Sequence, residues 1–185
     1  MLPIETERLR LHLFEPRDAA RLASYRSDES VARYQSWFEM TREEADAFIA
    51  EQPRLPAEHG QWIQIAIADK QTDDLIGDIG LCTHAPGTNA EIGFTLAPSA
   101  QGNGFATEAC RAAIDLAFSR EGVEVVEAVV DARNLTAIAL VKRLGMSLDR
   151  TESAEFKGEV CAENHYVLLG VRWRGGLGGG EPPLW

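Results

Sequence analysis

The sequence predicts a single α+β domain built on a mostly antiparallel sheet, and three observations support this class. The chain has 185 residues, which is enough for one domain with a substantial core and short for two. Strand-like alternation and helical spacing follow one another along it without an internal repeat or a linker. Three successive strand-like runs are joined by short turn-like connectors, which is typical of antiparallel strands. We place the domain at residues 1–173 and predict a mobile Gly- and Pro-rich tail at 174–185.

The first half of the chain predicts one strand, two helices and a three-stranded meander. The segment ERLRLHLF has leucine at every second position with polar residues between, which indicates a half-buried strand. Pro16 suits the first turn of a helix. A second helix begins at the capping box of Thr41 and Glu44 and ends before Pro53. The three strand-like runs then begin at Gln61, Asp74 and Ala90.

The second half predicts the order helix, strand, helix, strand. An apolar stripe at helical spacing follows Gly102 and Gly104 and marks a helix that extends to Phe118. Residues 123–130 are β-branched or apolar at alternate positions, so they predict a strand. The segment TAIALVKRLG predicts another helix, with Gly145 as its C-terminal cap. The segment CAENHYVLLGVRW predicts the last strand.

Composition and charge exclude several functional classes. The chain is 45% hydrophobic and 25% charged, as in ordinary globular proteins. No apolar run approaches the roughly 20 residues that cross a membrane, and the N-terminus lacks a signal-peptide pattern. We therefore expect a cytoplasmic protein without a membrane partner. The net charge of −11 argues against a nucleic-acid partner and favours a cationic acceptor such as an amine.

The cysteines and histidines show no pattern of a disulfide framework or a metal site. The three cysteines are widely spaced and odd in number, so we expect reduced thiols that act as small core residues. The histidines lack metal-ligand spacing, and we expect no metal. The residues concerned are Cys82, Cys110, Cys161, His12, His59, His84 and His165.

The most informative segment is PSAQGNGFATEA, residues 98–109, where a loop becomes a glycine turn and then a helix. A helix N-terminus presents unpaired N–H groups and the positive end of the helix dipole, which attract phosphate. Gly102 and Gly104 allow a close approach, Ala106 is small, and Thr107 could donate a hydroxyl. A Gly-x-Gly pair alone is equally consistent with a sharp corner. The dinucleotide fingerprint is absent, because Thr107 stands where its third glycine would fall.

The residues QGNGFA at 101–106 resemble the Arg/Gln-x-x-Gly-x-Gly/Ala pyrophosphate loop of the GNAT N-acetyltransferase superfamily. The longer segment EIGFTLAPSAQGNGFATEA is similar to that family's fourth strand, loop and third helix, and DARNLTAIALVKRLGM is similar to its Arg-Asn segment and following helix. ETERLRLHLFEPRDAARL and YQSWFEMTREEADAFI resemble the branch that includes ribosomal-protein N-terminal (alanine) acetyltransferases. The likeness covers residues 4–173. It implies a sheet of about six to seven strands, splayed between the fourth and fifth, and about four flanking helices.

The resemblance implies acetyl-CoA as the cosubstrate and assigns residues to it. The backbone amides of the loop would bind the pyrophosphate. Pantetheine would pair with the edge of the fourth strand, where the Leu96 N–H polarises the thioester carbonyl. The side-chain amide of Asn134 would help to hold pantetheine. The implied cofactor-binding residues are Phe94, Thr95, Leu96, Gln101, Gly102, Asn103, Gly104, Phe105, Ala106, Thr107 and Asn134.

The implied reaction is transfer of the acetyl group to an amine by direct attack in a ternary complex. Glu91 is the best carboxylate for taking the ammonium proton, directly or through water, although a partly exposed strand glutamate is equally consistent with its position. The family's usual donor to the leaving thiolate is missing, since Val141 and Ala137 stand at the two positions where relatives have tyrosine or serine. Tyr166 could substitute, with a buried structural tyrosine as the alternative.

The acceptor is the part that the sequence defines least. Tyr34, Trp37 and Phe38 lie where the family walls its acceptor site, and they could equally pack in the core or on the surface. A protein or peptide N-terminus is favoured by the branch resemblance, with a small-molecule amine next. Ala137 and Val141 keep a non-catalytic CoA-binding sensor or assembly subunit as the alternative function. Sheet edges and exposed aromatic residues leave a homodimer open.

Overall fold

The computed structural model describes residues 2–53 and 58–177 and shows eight strands and six helices among them. The strands are β1 (Ile4–Glu5), β2 (Leu9–Leu13), β3 (Trp62–Asp69), β4 (Leu75–His84), β5 (Asn89–Leu96), β6 (Val125–Asp131), β7 (Ser147–Phe156) and β8 (Glu159–Leu169). The helices are α1 (Ala19–Arg26), α2 (Glu29–Ala32), α3 (Arg42–Ala50), α4 (Phe105–Phe118), α5 (Leu135–Arg143) and α6 (Gly170–Arg172). Short 3-10 turns at Pro16–Asp18 and Pro98–Ala100 precede α1 and α4, and a π-helical turn at Trp173–Leu177 follows α6.

The described strands form one sheet in the order β1-β2-β3-β4-β5-β6-β8-β7. Every neighbouring pair is antiparallel except β5 and β6, which run parallel. This confirms the predicted α+β class. The sheet exceeds the predicted six to seven strands because β1 has only two residues and β7 was not recognised. Most side chains of β7 are exposed on both faces, so its sequence lacks the apolar alternation that marks a half-buried strand.

Two apolar clusters hold helices against opposite faces of the sheet. The larger one packs Ile79 and Ile92 of the sheet against Ile114 of α4. The smaller one lies on the other face, where Leu22 of α1 and Ala45 of α3 pack together over β3 and β4. Because side chains alternate along a strand, β5 directs Ile92 toward α4 and its neighbours toward the opposite face.

A buried ion pair fixes α1 to β4. Arg26 donates from Nη2 to Asp78 Oδ2 at 2.8 Å, and the two side chains are 5% and 4% exposed. The Tyr25 hydroxyl donates to the other carboxylate oxygen of Asp78. Burial, and next the charge of Asp78, hold the pKa of Tyr25 well above its ordinary value, so this donor stays protonated. The Arg26 guanidinium also lies 4.3 Å from the Trp37 ring centre and 4.6 Å from that of Phe48.

The parallel strands β5 and β6 part after three residue pairs. The register joins Asn89–Glu91 with Val125–Glu127 and stops there, although β5 continues to Leu96 and β6 to Asp131. The backbone edge of β5 beyond Glu91 therefore faces a slot rather than a neighbouring strand. This is the splay that the family resemblance implies.

Local helix signals agree with the structure, whereas a very short helix was missed. Helix α3 begins with the predicted reciprocal capping box of Thr41 and Glu44. Helix α5 is followed by Gly145 in the left-handed region, with φ of 84°. Helix α2 has four residues, too few to show a helical period, and Asp28 caps it by accepting the Ser30 N–H.

The helical structure extends into the predicted tail. Trp173 donates from Nε1 to Asp115 at 2.6 Å, and the Arg174 guanidinium lies 5.9 Å from the Phe118 ring centre. Residues 174–177 belong to the π-helical turn, while residues 178–185 lie outside the described part of the chain. Within that described part, no helix is long and apolar enough to span a bilayer.

Candidate active site

The slot between β5 and β6 opens into a cleft of about 390 Å³. The end of β5, the glycine turn, the first turn of α4 and one face of α5 line it, and α2 closes one side. The lining includes each residue that the sequence analysis assigned to the cofactor, except Asn103. Segments that are far apart in the chain thus meet in one cleft, as the resemblance implies.

The glycine turn needs glycine for backbone reasons as well as for access. Gly102 has φ of 79° and Gly104 has φ of 81°, in the left-handed region that side chains rarely adopt. Gly104 is the N-cap of α4, and the first three residues of that helix line the cleft. A Cβ on Gly102 would meet nothing within 4 Å, so this residue borders open space. The sharp corner and the helix N-terminus expected to bind phosphate are therefore the same structure.

A clamp from the N-terminal segment holds the glycine turn in place. Glu108, in the first turn of α4, accepts hydrogen bonds from Thr6 Oγ1 at 2.6 Å, from the Arg8 backbone N–H at 2.8 Å and from Arg8 Nε at 2.7 Å. Arg8 also donates from Nη1 to the Asn103 carbonyl at 2.9 Å and lies 4.6 Å from the Phe105 ring centre. Partial burial opposes ionisation of Glu108, but these hydrogen bonds lower its pKa. Sequence analysis missed this clamp because its two parts are 100 residues apart.

Helix α5 supplies the opposite wall of the cleft. The Asn134 side chain caps α5 by accepting the Ala137 N–H at Oδ1, at 3.1 Å, which leaves its Nδ2 amide as the group for a ligand. Arg143 lines the cleft and donates from Nη1 to Thr107 Oγ1 at 3.3 Å. Sequence analysis missed Arg143, since a basic residue in the last turn of a helix is already explained by the helix dipole.

Glu91 lies at the last residue pair before β5 and β6 part. Its side chain points to the face opposite α4, is 24% exposed, and places Oε2 3.0 Å from His84 Nε2. Gly93 follows on the same face, and a Cβ there would meet nothing within 4 Å. A carboxylate therefore stands beside open space at the closed end of the slot.

A second glutamate–histidine pair lies one strand away. Glu127 of β6 is the register neighbour of Glu91, and its Oε1 lies 2.6 Å from His165 Nδ1 and 3.3 Å from Arg150 Nη1. Sequence analysis found only that His84 and His165 lack metal-ligand spacing, but the sheet register gives each a carboxylate partner. No cluster of three or more His, Cys, Asp or Glu suited to a metal ion occurs among the described residues.

The structure separates the three aromatic residues proposed for the acceptor. Tyr34 lines the cleft. Trp37 donates from Nε1 to the Arg26 carbonyl at 3.2 Å and packs on its guanidinium. Phe38 is 69% exposed and borders a different cavity of about 530 Å³. Contact with the acceptor stays a prediction for all three.

The positions connected with thiolate protonation also lie in different places. Ala137 lines the cleft, and so does the preceding residue, Thr136. Val141 is fully buried in the main core. Tyr166 is 2% exposed in the same core and does not line the cleft, so its catalytic assignment stays a prediction.

The three cysteines are free thiols and all are buried. Burial raises the pKa of the Cys110 thiol to about 12, so it is protonated at neutral pH. Cys110 belongs to the apolar face of α4. This confirms the prediction that it is a core residue rather than a nucleophile.

The family model described as an acetyltransferase (GNAT) domain matches residues 8–147, a span that includes the glycine turn, Glu91 and α5. This chain belongs to the GNAT acetyltransferase family. The uncharacterized N-acetyltransferase p20 of Bacillus licheniformis is 32% identical over 145 residues, which cover 78% of this chain and 82% of that protein. Acetyl-CoA-dependent acetyl transfer is therefore the activity of this chain, as the resemblance implies.

Solved structures show the same fold across nearly the whole chain. A provisionally named ribosomal-protein-serine acetyltransferase of Vibrio cholerae superposes with a TM-score of 0.77 at 26% identity and covers 91% of this chain and 99% of that one. Spermidine N-acetyltransferase of Vibrio cholerae, in complex with CoA and spermine, superposes with a TM-score of 0.78 at 20% identity, over 91% and 99% of the two chains. The likeness to the ribosomal-protein-serine acetyltransferase agrees with the branch that the sequence resembles. The likeness to the spermidine N-acetyltransferase shows a shared fold alone.

Proposed function

We propose that this GNAT acetyltransferase binds acetyl-CoA in the cleft between β5 and α5 and acetylates an amine that approaches from the sheet face opposite α4. The observation that carries this proposal is the parting of β5 and β6 directly beyond Glu91. Where the two strands part, the unpaired backbone edge of β5 lies next to the solvent-accessible carboxylate of Glu91. A thioester in the slot and an amine on the open face would meet there.

The residues of the cleft fit acetyl-CoA, which supplies the acetyl group as an activated thioester. The glycine turn offers backbone N–H groups at a helix N-terminus for the pyrophosphate, and Arg143 adds a cation in an otherwise acidic protein. The free edge of Phe94–Leu96 offers strand-like hydrogen bonds to pantetheine, together with the Asn134 amide. The Leu96 N–H is the proposed donor to the thioester carbonyl oxygen.

Glu91 takes the proton from the acceptor ammonium, directly or through one water, so that the nitrogen lone pair can attack the thioester carbon. The C–N bond forms and the C–S bond breaks, and the thiolate leaves with the electron pair. The nitrogen loses its second proton as the amide forms, and this loss balances the proton that the thiolate gains. A thiolate is a tolerable leaving group near neutral pH, since a free thiol has a pKa of about 8.5. Tyr166 stays the candidate proton donor to the thiolate, and water is the alternative donor. A Tyr166→Phe variant distinguishes the two.

The acceptor is a primary amine, with a protein or peptide N-terminus favoured over a small molecule. The first solved relative above is named for a ribosomal protein and the second for a polyamine, so both classes occur on this fold. The acidic surface suits either cationic class.

Two measurements test the function. Calorimetry with acetyl-CoA should show binding below millimolar concentration, and its absence would remove the cofactor site. Acetylated product should then form with at least one member of a panel of peptides and small amines. Binding without product across the panel would favour the non-catalytic sensor that Ala137 and Val141 keep as an alternative.

Gly93→Leu is expected to raise KM for the acceptor by about tenfold or more, because the new side chain fills the open space beside Glu91. The Kd for acetyl-CoA should stay close to that of the wild type, since Gly93 is not among the residues that line the cleft. Gly175→Leu is the matched control, as a Cβ there also meets nothing within 4 Å. Steady-state kinetics that show an unchanged acceptor KM in Gly93→Leu would move the acceptor away from this face.

A further inference from the structure

We propose that His84 receives the proton from Glu91 after each deprotonation of the acceptor and delivers it to bulk water. This inference rests on the proposed function, because it needs Glu91 to act as the base. It assigns a proton-transfer role to a residue that touches the base rather than the substrate.

The β4–β5 hairpin brings the two side chains together. Cys82 pairs with Glu91 and His84 with Asn89 across the hairpin, so His84 and Glu91 lie on one face as diagonal neighbours. His84 Nε2 lies 3.0 Å from Glu91 Oε2, which is hydrogen-bond distance. The His84 side chain is 43% exposed and that of Glu91 24%, so exposure to solvent increases from the base to the histidine.

The other groups that the structure describes near Glu91 do not offer an equivalent route. Burial, followed by the charge of Glu91 itself, raises the pKa of the Cys82 thiol, which therefore keeps its proton. Glu127 on the next strand is held by His165 and by Arg150. These contacts leave His84 as the side chain that joins Glu91 to a more exposed position.

Another charged neighbour lies on a different element. Arg120, which follows α4, donates from Nη1 to Thr83 Oγ1 at 3.0 Å, so its guanidinium is engaged on the β4 residue between Cys82 and His84. Arginine stays protonated at all relevant pH values and cannot accept a proton. It therefore provides charge near the hairpin but no route for the proton.

The reaction leaves one proton to be released, and His84 offers a route for it. An ammonium and a thioester give an amide, a thiol and one proton, so each turnover must release one proton to solvent. Glu91 takes this proton from the amine nitrogen and passes it to His84 Nε2, which becomes an imidazolium. The imidazolium then loses a proton to water, and the carboxylate is restored. Imidazole changes its protonation between about pH 5 and 8, so it can accept and release a proton under physiological conditions.

The test is chemical rescue of His84→Ala, with acetylated amine measured directly because imidazole itself attacks thioesters. We expect kcat to fall by about 10- to 100-fold, with an unchanged Kd for acetyl-CoA showing that the fold is intact. Added imidazole should restore the rate, and substituted imidazoles should do so in proportion to their basicity at fixed pH. Glu91→Gln should not respond to imidazole.

His59→Ala is the control, because His59 lies against Gly87 of the same hairpin turn, whereas the hydrogen-bond partner of Glu91 is His84. It should keep the wild-type rate. A His84→Ala variant with the wild-type rate overturns the proposal, and so does a slow variant whose rescue is absent or independent of base strength. Wild-type protein that forms no product with any amine would instead remove the proposed function, and with it this inference.

Discussion

Glu91→Gln is expected to lower kcat/KM for the acceptor by about 100- to 1,000-fold near neutral pH, while Kd for acetyl-CoA stays within about threefold of wild type. Glutamine keeps the size of the side chain at the point where β5 and β6 part, but it cannot take a proton from the ammonium. The variant therefore removes the base without altering the cleft. Steady-state kinetics combined with calorimetry separate the two effects.

The pH dependence of kcat/KM in Glu91→Gln tests the role of Glu91 more specifically than the size of the decrease in kcat/KM. Without the base, only acceptor that is already neutral can attack, so the deficit should be largest at low pH and decrease as pH approaches the pKa of the amine. That pKa is about 8 for a peptide N-terminus and about 10 for an alkylamine. The inflection in the variant thus also indicates the acceptor class.

Glu155→Gln provides the control, because Glu155 is an exposed strand glutamate on β7, away from the slot. It should leave both kcat/KM and the shape of the pH profile unchanged. A Glu91→Gln profile that has the same shape as that of the wild type would remove Glu91 as the base.

Asp78→Ala is expected to lower the free energy of unfolding by about 3–5 kcal/mol, the usual cost of leaving one member of a buried ion pair without its partner. Arg26 would keep its charge in an almost fully buried position, and the Tyr25 hydroxyl would lose its acceptor. Asp78 is also the register partner of Thr95 at the edge of the cleft. We therefore expect weaker acetyl-CoA binding in the variant, because α1 would no longer be fixed to this part of the sheet.

Urea unfolding with the midpoint and slope fitted separately measures this effect. Asp46→Ala is the matched control, since Asp46 forms an exposed ion pair with Arg42 at 2.9 Å within α3, where such pairs contribute about 0.3–0.5 kcal/mol. Replacing both buried partners, as in Arg26→Met with Asp78→Leu, should recover much of the lost stability. A loss in Asp78→Ala no greater than in the control would contradict the structural role of the pair.

Much of the fold could be predicted because its signals are local. The capping box of Thr41 and Glu44, the apolar stripe of α4 and the alternation in the meander each lie within a few residues of one another in the sequence. Strand β7 could not be predicted in this way, since an exposed edge strand has no buried face to impose a period. Helix α2 is shorter than the window in which a helical period can be seen.

The candidate site likewise contains residues that local sequence patterns predict and residues that they do not. Apart from Asn134, the residues assigned to the cofactor lie in one segment from Phe94 to Thr107, and all of the assigned residues but Asn103 line one cleft. Arg143 of α5 donates a hydrogen bond to Thr107 of α4. In the sequence, Arg143 is explained simply as a basic residue at the C-terminal end of a helix. Its role depends on how α4 and α5 are placed side by side, which no local pattern specifies.

The sequence by itself determined the family, the glycine turn and the choice of Glu91 as the candidate base, because these depend on residue types at fixed spacing along the chain. The tertiary structure decided what surrounds them. Only the sheet register places His84 beside Glu91, and only the packing of the N-terminal segment on α4 places Arg8 and Glu108 around the glycine turn. Such contacts arise between segments whose relative positions are set by burial of the core, so no short stretch of sequence contains them.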